Sequence, residues 1–214
     1  MNSIRAVIDW LVDGARSATL AEDVIAELCR RMVACDLPLW RVGIFVRTLH
    51  PDVAGRRFVW CPESGVSTSE ALFSFFESDE FRASPAATIY DTCEPLRRRL
   101  SDGDCPDDSP FWRDLRAQGV TDYAGFPLRF TDGTIQVATW ATRQPGGFTP
   151  EQFTAMRLSA IASTVKTNPS STCSSGPANL AAARSQFAMT SSNEPANVAR
   201  AETVPVSLCG CGST

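Results

Sequence analysis

Lysine and histidine are almost missing from this chain. Lys166 is its one lysine, His50 its one histidine, and nineteen of its twenty basic residues are arginine. One histidine leaves little for imidazole acid–base chemistry, and zinc sites take four ligands in paired spacing. Excess cation is missing as well: the formal net charge is −4 and the sequence pI is about 5.1. Phosphate neutralisation needs clustered excess cation, so the composition argues against a nucleic-acid binder. No window reaches the ~18 consecutive apolar residues of a membrane span, and Met1-Asn2-Ser3-Ile4-Arg5 carries no apolar secretory core. These absences predict a cytoplasmic protein with no membrane partner, its eight cysteines held as reduced thiols. Phosphate loops are missing too, because Pro145-Gly146-Gly147 has neither the following Lys nor G-x-G-x-x-G spacing. Cys29, Cys35, Cys61, Cys93 and Cys105 lie far apart, and Cys209-Gly210-Cys211 has no second pair, so neither a metal site nor a cofactor is expected.

What is present is local order with clear punctuation. Ile4, Val7, Ile8, Leu11, Val12 and Ala15 mark one face of a helix. Thr19 and Glu22 read as a capping box before a second stripe, Ala21, Val24, Ile25, Leu28, Cys29, Met32 and Val33, stopped by Leu37-Pro38. From Trp40 to His50 the period changes to two, with Trp40, Val42, Ile44 and Val46 opposite Arg41, Gly43, Phe45 and Arg47. Arg56 to Cys61 reads as its antiparallel partner. In the middle, Glu70 to Phe76 suggests a short helix, Ser84-Pro85 opens another segment through Tyr90, and Leu96 to Leu100 suggests an edge strand blunted by arginine. Ser109-Pro110 starts a helix with Phe111, Leu115 and Gln118 on one face, ended by Gly119. Strands over Asp122–Phe130 and from Ile135 flank the hairpin signal Asp132-Gly133. Thr149-Pro150-Glu151-Gln152 opens a last helix with Phe153, Met156, Ala160, Ile161 and Thr164 inward.

This order predicts an α+β domain over residues 1–166, an antiparallel sheet with flanking terminal helices. Beyond Lys166 the pattern ends. Thr167 to Thr214 is mostly Ser, Thr, Asn, Ala, Gly and Pro with scattered apolar residues and no sustained period, which predicts a disordered low-complexity tail over 167–214.

The close of the domain, Phe126-Pro127-Leu128, Asp132-Gly133, Trp140 and Pro145-Gly146-Gly147-Phe148-Thr149, resembles the end of many GAF domains. Leu37-Pro38-Leu39-Trp40-Arg41, Arg47-Thr48-Leu49-His50-Pro51 and Gly55-Arg56-Arg57-Phe58-Val59-Trp60 resemble the N-terminal region of bacterial class III adenylate cyclases. Ser84-Pro85, Arg97-Arg98-Arg99-Leu100 and Gly119-Val120-Thr121-Asp122-Tyr123 agree with that region in order and spacing. The resemblance covers roughly Ile4 to Lys166. It implies a GAF-like sensory module of the kind that precedes a cyclase catalytic domain in cyclic AMP signalling. The cyclase metal motif has no counterpart after Lys166, where Glu194 and Glu202 are the only acidic residues. The expectation is therefore a non-catalytic sensory or regulatory domain, not an enzyme, as a truncated or frameshifted product.

The alternatives are a stand-alone small-molecule-binding or dimerisation GAF module, or a cysteine-dependent GAF-type reductase. The reductase needs Cys61, Cys93 and Cys105 to converge with one low-pKa thiolate. Trp60, Tyr90, Arg99, Tyr123 and Trp140 are the candidate ligand-binding residues, the aromatics being near strand positions that line the pocket in GAF-like domains. For each aromatic, core packing is the competing role; for Arg97-Arg98-Arg99, it is a solvated strand edge. His50 suits a loop-ordering role better than a proton switch. A homodimer through the first and last helices is expected, with Ile8, Leu11, Met156 and Ile161 as the helix layer, burial within the monomer being the competing role for all four.

Overall fold

A computed structural model of the chain describes residues 3–13, 15, 20–47, 53–101, 109–130 and 133–162. The two leading helices are α1 (Ile4–Val12) and α2 (Ala21–Val33). Strands β1 (Arg41–Arg47), β2 (Gly55–Cys61) and β3 (Gly65–Ala71) follow, then short helices α3 (Phe73–Phe76), α4 (Asp79–Arg82) and α5 (Pro85–Thr92). The chain continues through β4 (Leu96–Arg99), α6 (Pro110–Ala117), β5 (Asp122–Arg129), β6 (Ile135–Thr142) and α7 (Pro150–Ala162). The strands form one antiparallel sheet in the order β3-β2-β1-β6-β5-β4. This is the α+β architecture that the sequence pattern predicts.

Period-two alternation sets up two faces. Val42 on β1 stands in register with Trp60 on β2 and Trp140 on β6. All three belong to a buried cluster with Val7, Ile25, Leu28, Cys29, Met32, Phe126, Met156 and Ala160, so this face is covered by α1, α2 and α7. The opposite residues, Phe45, Val137 and Tyr123, pack into two other clusters under α4, α5 and α6. Gly125 on β5 permits close roofing there: an added Cβ would lie 2.5 Å from Ile89 Cδ1 of α5.

Several boundaries differ from expectation. Gly65–Ala71 is a strand, so Glu70 and Ala71 belong to β3 and the helix begins at Phe73. Its polar face gives no alternating apolar signal, because an edge strand needs to bury little. Trp40 joins Trp112, Leu115 and Tyr123 on the roofed face instead of continuing the Val42 row. It precedes β1, and its N–H donates to the Ala141 carbonyl, so the strand period does not govern it. The N-cap of α2 is Leu20, with no side-chain bond; Thr19 lies outside the described residues, and Glu22 instead accepts from the Thr68 hydroxyl at 3.2 Å. On α7, Thr149 and Gln152 do form the reciprocal capping box, at 2.9 and 3.2 Å. Met156 is fully buried in the monomer, which removes it from the expected dimer layer, while Ile161 is 48% exposed rather than inward. Residues Thr48 to Asp52, Thr164 and 167–214, and with them the expectations for His50 and the tail, lie outside the described residues.

Candidate functional site

The five candidate ligand residues fall in separate places. Trp60 and Trp140 are buried on the helix-covered face, where Trp140 meets the Phe126 ring edge to face at 5.4 Å. Tyr123 lies on the roofed face against Trp112 and Phe111, with centroids at 5.2 and 5.8 Å. Tyr90, from α5, packs on the same face beside Phe81 and Val137. Arg99 is exposed on the edge strand β4. The sheet thus divides the two tryptophans from the two tyrosines, and the five do not line one cavity.

The neighbours of Arg99 have structural partners. Arg97 forms a salt bridge with Asp122 at 2.7 Å, and Asp122 is fully buried. The same guanidinium donates to the Phe148 carbonyl at 2.6 Å, while Phe148 N–H donates to Asp122 at 3.0 Å. Gly147, at φ 74°, closes this clasp, since a Cβ there would come within 2.6 Å of the Asp122 carboxylate. Pro145-Gly146-Gly147 therefore pins the start of α7. Arg98 lies over the Trp112 ring at 4.7 Å.

A residue that the candidate set omits stands out by what surrounds it. Arg47, half-buried at the end of β1, has its guanidinium carbon 5.1 Å from the Phe76 centroid and 4.7 Å from that of Tyr90. Its backbone N–H donates to Gln136 Oε1 at 2.6 Å. The Tyr90 hydroxyl is buried beside this guanidinium without a well-formed hydrogen bond. Burial pushes its pKa up to about 12, against the opposing pull of Arg47. Burial likewise raises the Tyr123 hydroxyl, against Thr139 and Arg41. Strand alternation already put Arg47 on the Phe45 face; only the tertiary fold brings Phe76 and Tyr90 to it.

A cleft of about 170 Å³ opens between β5, the α5–β4 link and α7, lined in part by Pro95, Phe126, Arg129, Arg157 and Ile161. That is smaller than the roughly 300 Å³ and more of common small-molecule sites. Of the cysteines needed by a reductase, Cys61 and Cys93 do not gather. Cys61 ends β2, Cys93 caps α5 beside Arg129 of β5, and β1 and β6 lie between those strands. Cys105 lies outside the described residues. Cys93 is disulfide-bonded, while Cys29, Cys35 and Cys61 are free thiols. This corrects the expectation of uniformly reduced cysteines, because sulfur proximity is set by the fold and not by spacing in the chain. Burial, with a smaller push from Cys61, raises the Cys29 thiol, the reverse of a reactive thiolate. Among the described residues no three His, Cys, Asp or Glu side chains group as metal ligands, and no helix is long and apolar enough to cross a membrane.

Solved structures give the fold its name. The chain is similar to the phycocyanobilin-bound GAF domain of a cyanobacterial phytochrome, with a TM-score of 0.53 and 18% identity over 77% of this chain and 93% of that one. It is also similar to the GAF domain of a phosphoenolpyruvate-protein phosphotransferase from Coxiella burnetii, with a TM-score of 0.51 and 13% identity over 87% and 97% of the two chains. The fold is GAF-like. No protein-family model matches the sequence, and no curated protein matches it either.

Proposed function

We propose that residues 1–166 form a non-catalytic sensory or regulatory GAF-like domain, of the kind that stands before the catalytic domain of bacterial class III adenylate cyclases. The observation that carries the reading is the roofed face of the sheet, where the Arg47 guanidinium lies among aromatic rings beside the buried Tyr90 hydroxyl and joins no ion pair among the described residues. Small-molecule binding is the function such a face supports, and the cyclase-like segments around Trp40, Gly55 and Ser84 supply the association with cyclic AMP signalling. The phytochrome domain, bound to phycocyanobilin, shows that this fold accommodates a small molecule on another sequence. In the test, the purified chain is incubated with ATP and magnesium or manganese and assayed for cyclic AMP. A parallel thermal-shift screen spans anionic, neutral and cationic compounds. No cyclic AMP and stabilisation by one class are expected; turnover that follows the protein through mutagenesis overturns the reading.

Homodimerisation is favoured by a separate observation. Val12, Leu158 and Ile161 are 46, 43 and 48% exposed on α1 and α7, two helices that pack on one another. Ile161→Glu is expected to give a folded monomer by sedimentation where the unaltered chain is a dimer. An unaltered chain that sediments as a monomer at tens of micromolar ends the proposal.

A further inference from the structure

We propose that Arg47 and Tyr90 form an oxyanion site, taking the carboxylate or phosphate group of a small molecule on the roofed face of the sheet. The proposal rests on the sensory reading and gives the ligand its chemical class. With the Phe76 and Tyr90 rings against it, the Arg47 guanidinium keeps its N–H edge for bonding. None of the ion pairs among the described residues involves Arg47, whereas Arg97 has both a carboxylate and a carbonyl. The Tyr90 hydroxyl, on a residue 7% exposed, takes a poorly formed hydrogen bond from Arg47 and has no acceptor for its own proton among the described residues. Gln136 Oε1 is already engaged by the backbone N–H of Arg47.

A buried polar group left unpaired costs roughly 1–3 kcal/mol. Such groups point to water or to an ion. Here the two groups are neighbouring donors and one is a cation, which favours a negatively charged oxygen over neutral water. A fork-shaped donor edge suits two oxygens of one carboxylate or phosphate. The site therefore selects for an anionic head, while Phe76 and Tyr90 give it apolar walls.

Calorimetric titration of the full 214-residue chain with sodium phosphate, and separately with sodium acetate, at constant ionic strength reads the site. Saturable binding of at least one anion is expected, weakened about tenfold or more in Arg47→Met, which keeps an unbranched chain between the rings and loses every donor. Tyr90→Phe is expected to weaken it by a smaller factor. Arg47→Lys keeps the charge without the fork, is expected to lose affinity severalfold, and is the second variant should Arg47→Met fail to fold. Preference for phosphate identifies a phosphate-bearing ligand, and preference for acetate a carboxylate. No saturable binding of either anion, or affinity unchanged in folded Arg47→Met or Arg47→Lys, overturns the proposal. Stabilisation by neutral or cationic compounds alone then leaves the sensory reading standing, whereas stabilisation by no class removes both.

Discussion

The two faces of the sheet solve different problems. On the helix-covered face, Val42, Trp60, Phe126, Ala138 and Trp140 meet Ile25, Cys29, Met32, Met156 and Ala160 in one continuous apolar cluster. On the roofed face the apolar residues split into two clusters, with Arg47 over Phe76 and Tyr90, Arg98 over Trp112 and Arg143 over Trp40, whereas on the covered face arginines lie only over the partly buried Trp10 and Phe153. Each face holds a buried donor without an acceptor, Trp140 Nε1 on one and the Tyr90 hydroxyl on the other. The difference lies in the company. Trp140 is set among hydrocarbon, but Tyr90 is set beside a cation, which is an arrangement that stability alone does not require. The first face is built to hold the domain together; the second keeps polar capacity in reserve.

The sharpest break of this contrast comes from the covered face. Trp140 is 2% exposed and anchors the ring contact to Phe126, so Trp140→Ala leaves a large cavity. A loss of about 3–5 kcal/mol is expected in urea denaturation. A loss below about 1 kcal/mol would mean that this face does not carry the domain's stability.

A smaller but comparable effect is expected at the edge of the sheet. Asp122→Ala removes the buried partner of Arg97 and the acceptor of the Phe148 N–H. Breaking a buried ion pair costs about 3–5 kcal/mol, and Arg97, with a 24% exposed side chain, regains some hydration, so about 3 kcal/mol is expected. The start of α7 should also gain hydrogen exchange relative to β5. Unchanged exchange at Phe148 would show that the clasp is not what pins that loop.

Several signals with a local cause match the structure, although the equally local Thr19–Glu22 capping box does not, since Leu20 is the N-cap of α2. The capping box of α7, the Ser84-Pro85 and Ser109-Pro110 starts and the alternation of β6 each depend on residues a few positions apart. What depends on distant chain was not legible. β3 has no apolar period of its own and is a strand because β2 pairs with it. Trp60 and Trp140 look like pocket aromatics until register sets them beside Val42 on the covered face. Arg97, taken as one of three edge cations, is paired because Asp122 and Phe148 reach it from later in the chain. Only the face of Arg47 was visible in sequence; its aromatic neighbours were not.

The smallest effect, and the one that isolates the roofed face, concerns the Tyr90 hydroxyl. At neutral pH, Tyr90→Phe deletes a buried group whose hydrogen bond with Arg47 is poorly formed while keeping the ring under Arg47, so stability should change little. At alkaline pH the two proteins should part. An unfolded tyrosine ionises near pH ~10, whereas burial holds folded Tyr90 protonated to about 12. A folded-state pKa above the unfolded one gives a contribution that is complete below pH ~10 and is lost as pH rises toward the folded value. By pH ~11 this amounts to about 1.4 kcal/mol lost from the unaltered chain and not from Tyr90→Phe. Urea midpoints of the two proteins, matched near neutrality, should therefore diverge above pH ~10 with the phenylalanine variant the more stable. Parallel curves through pH ~11 would show that Tyr90 ionises freely in the folded domain, and that the roofed face is open to solvent at the place where Arg47 waits for its acceptor.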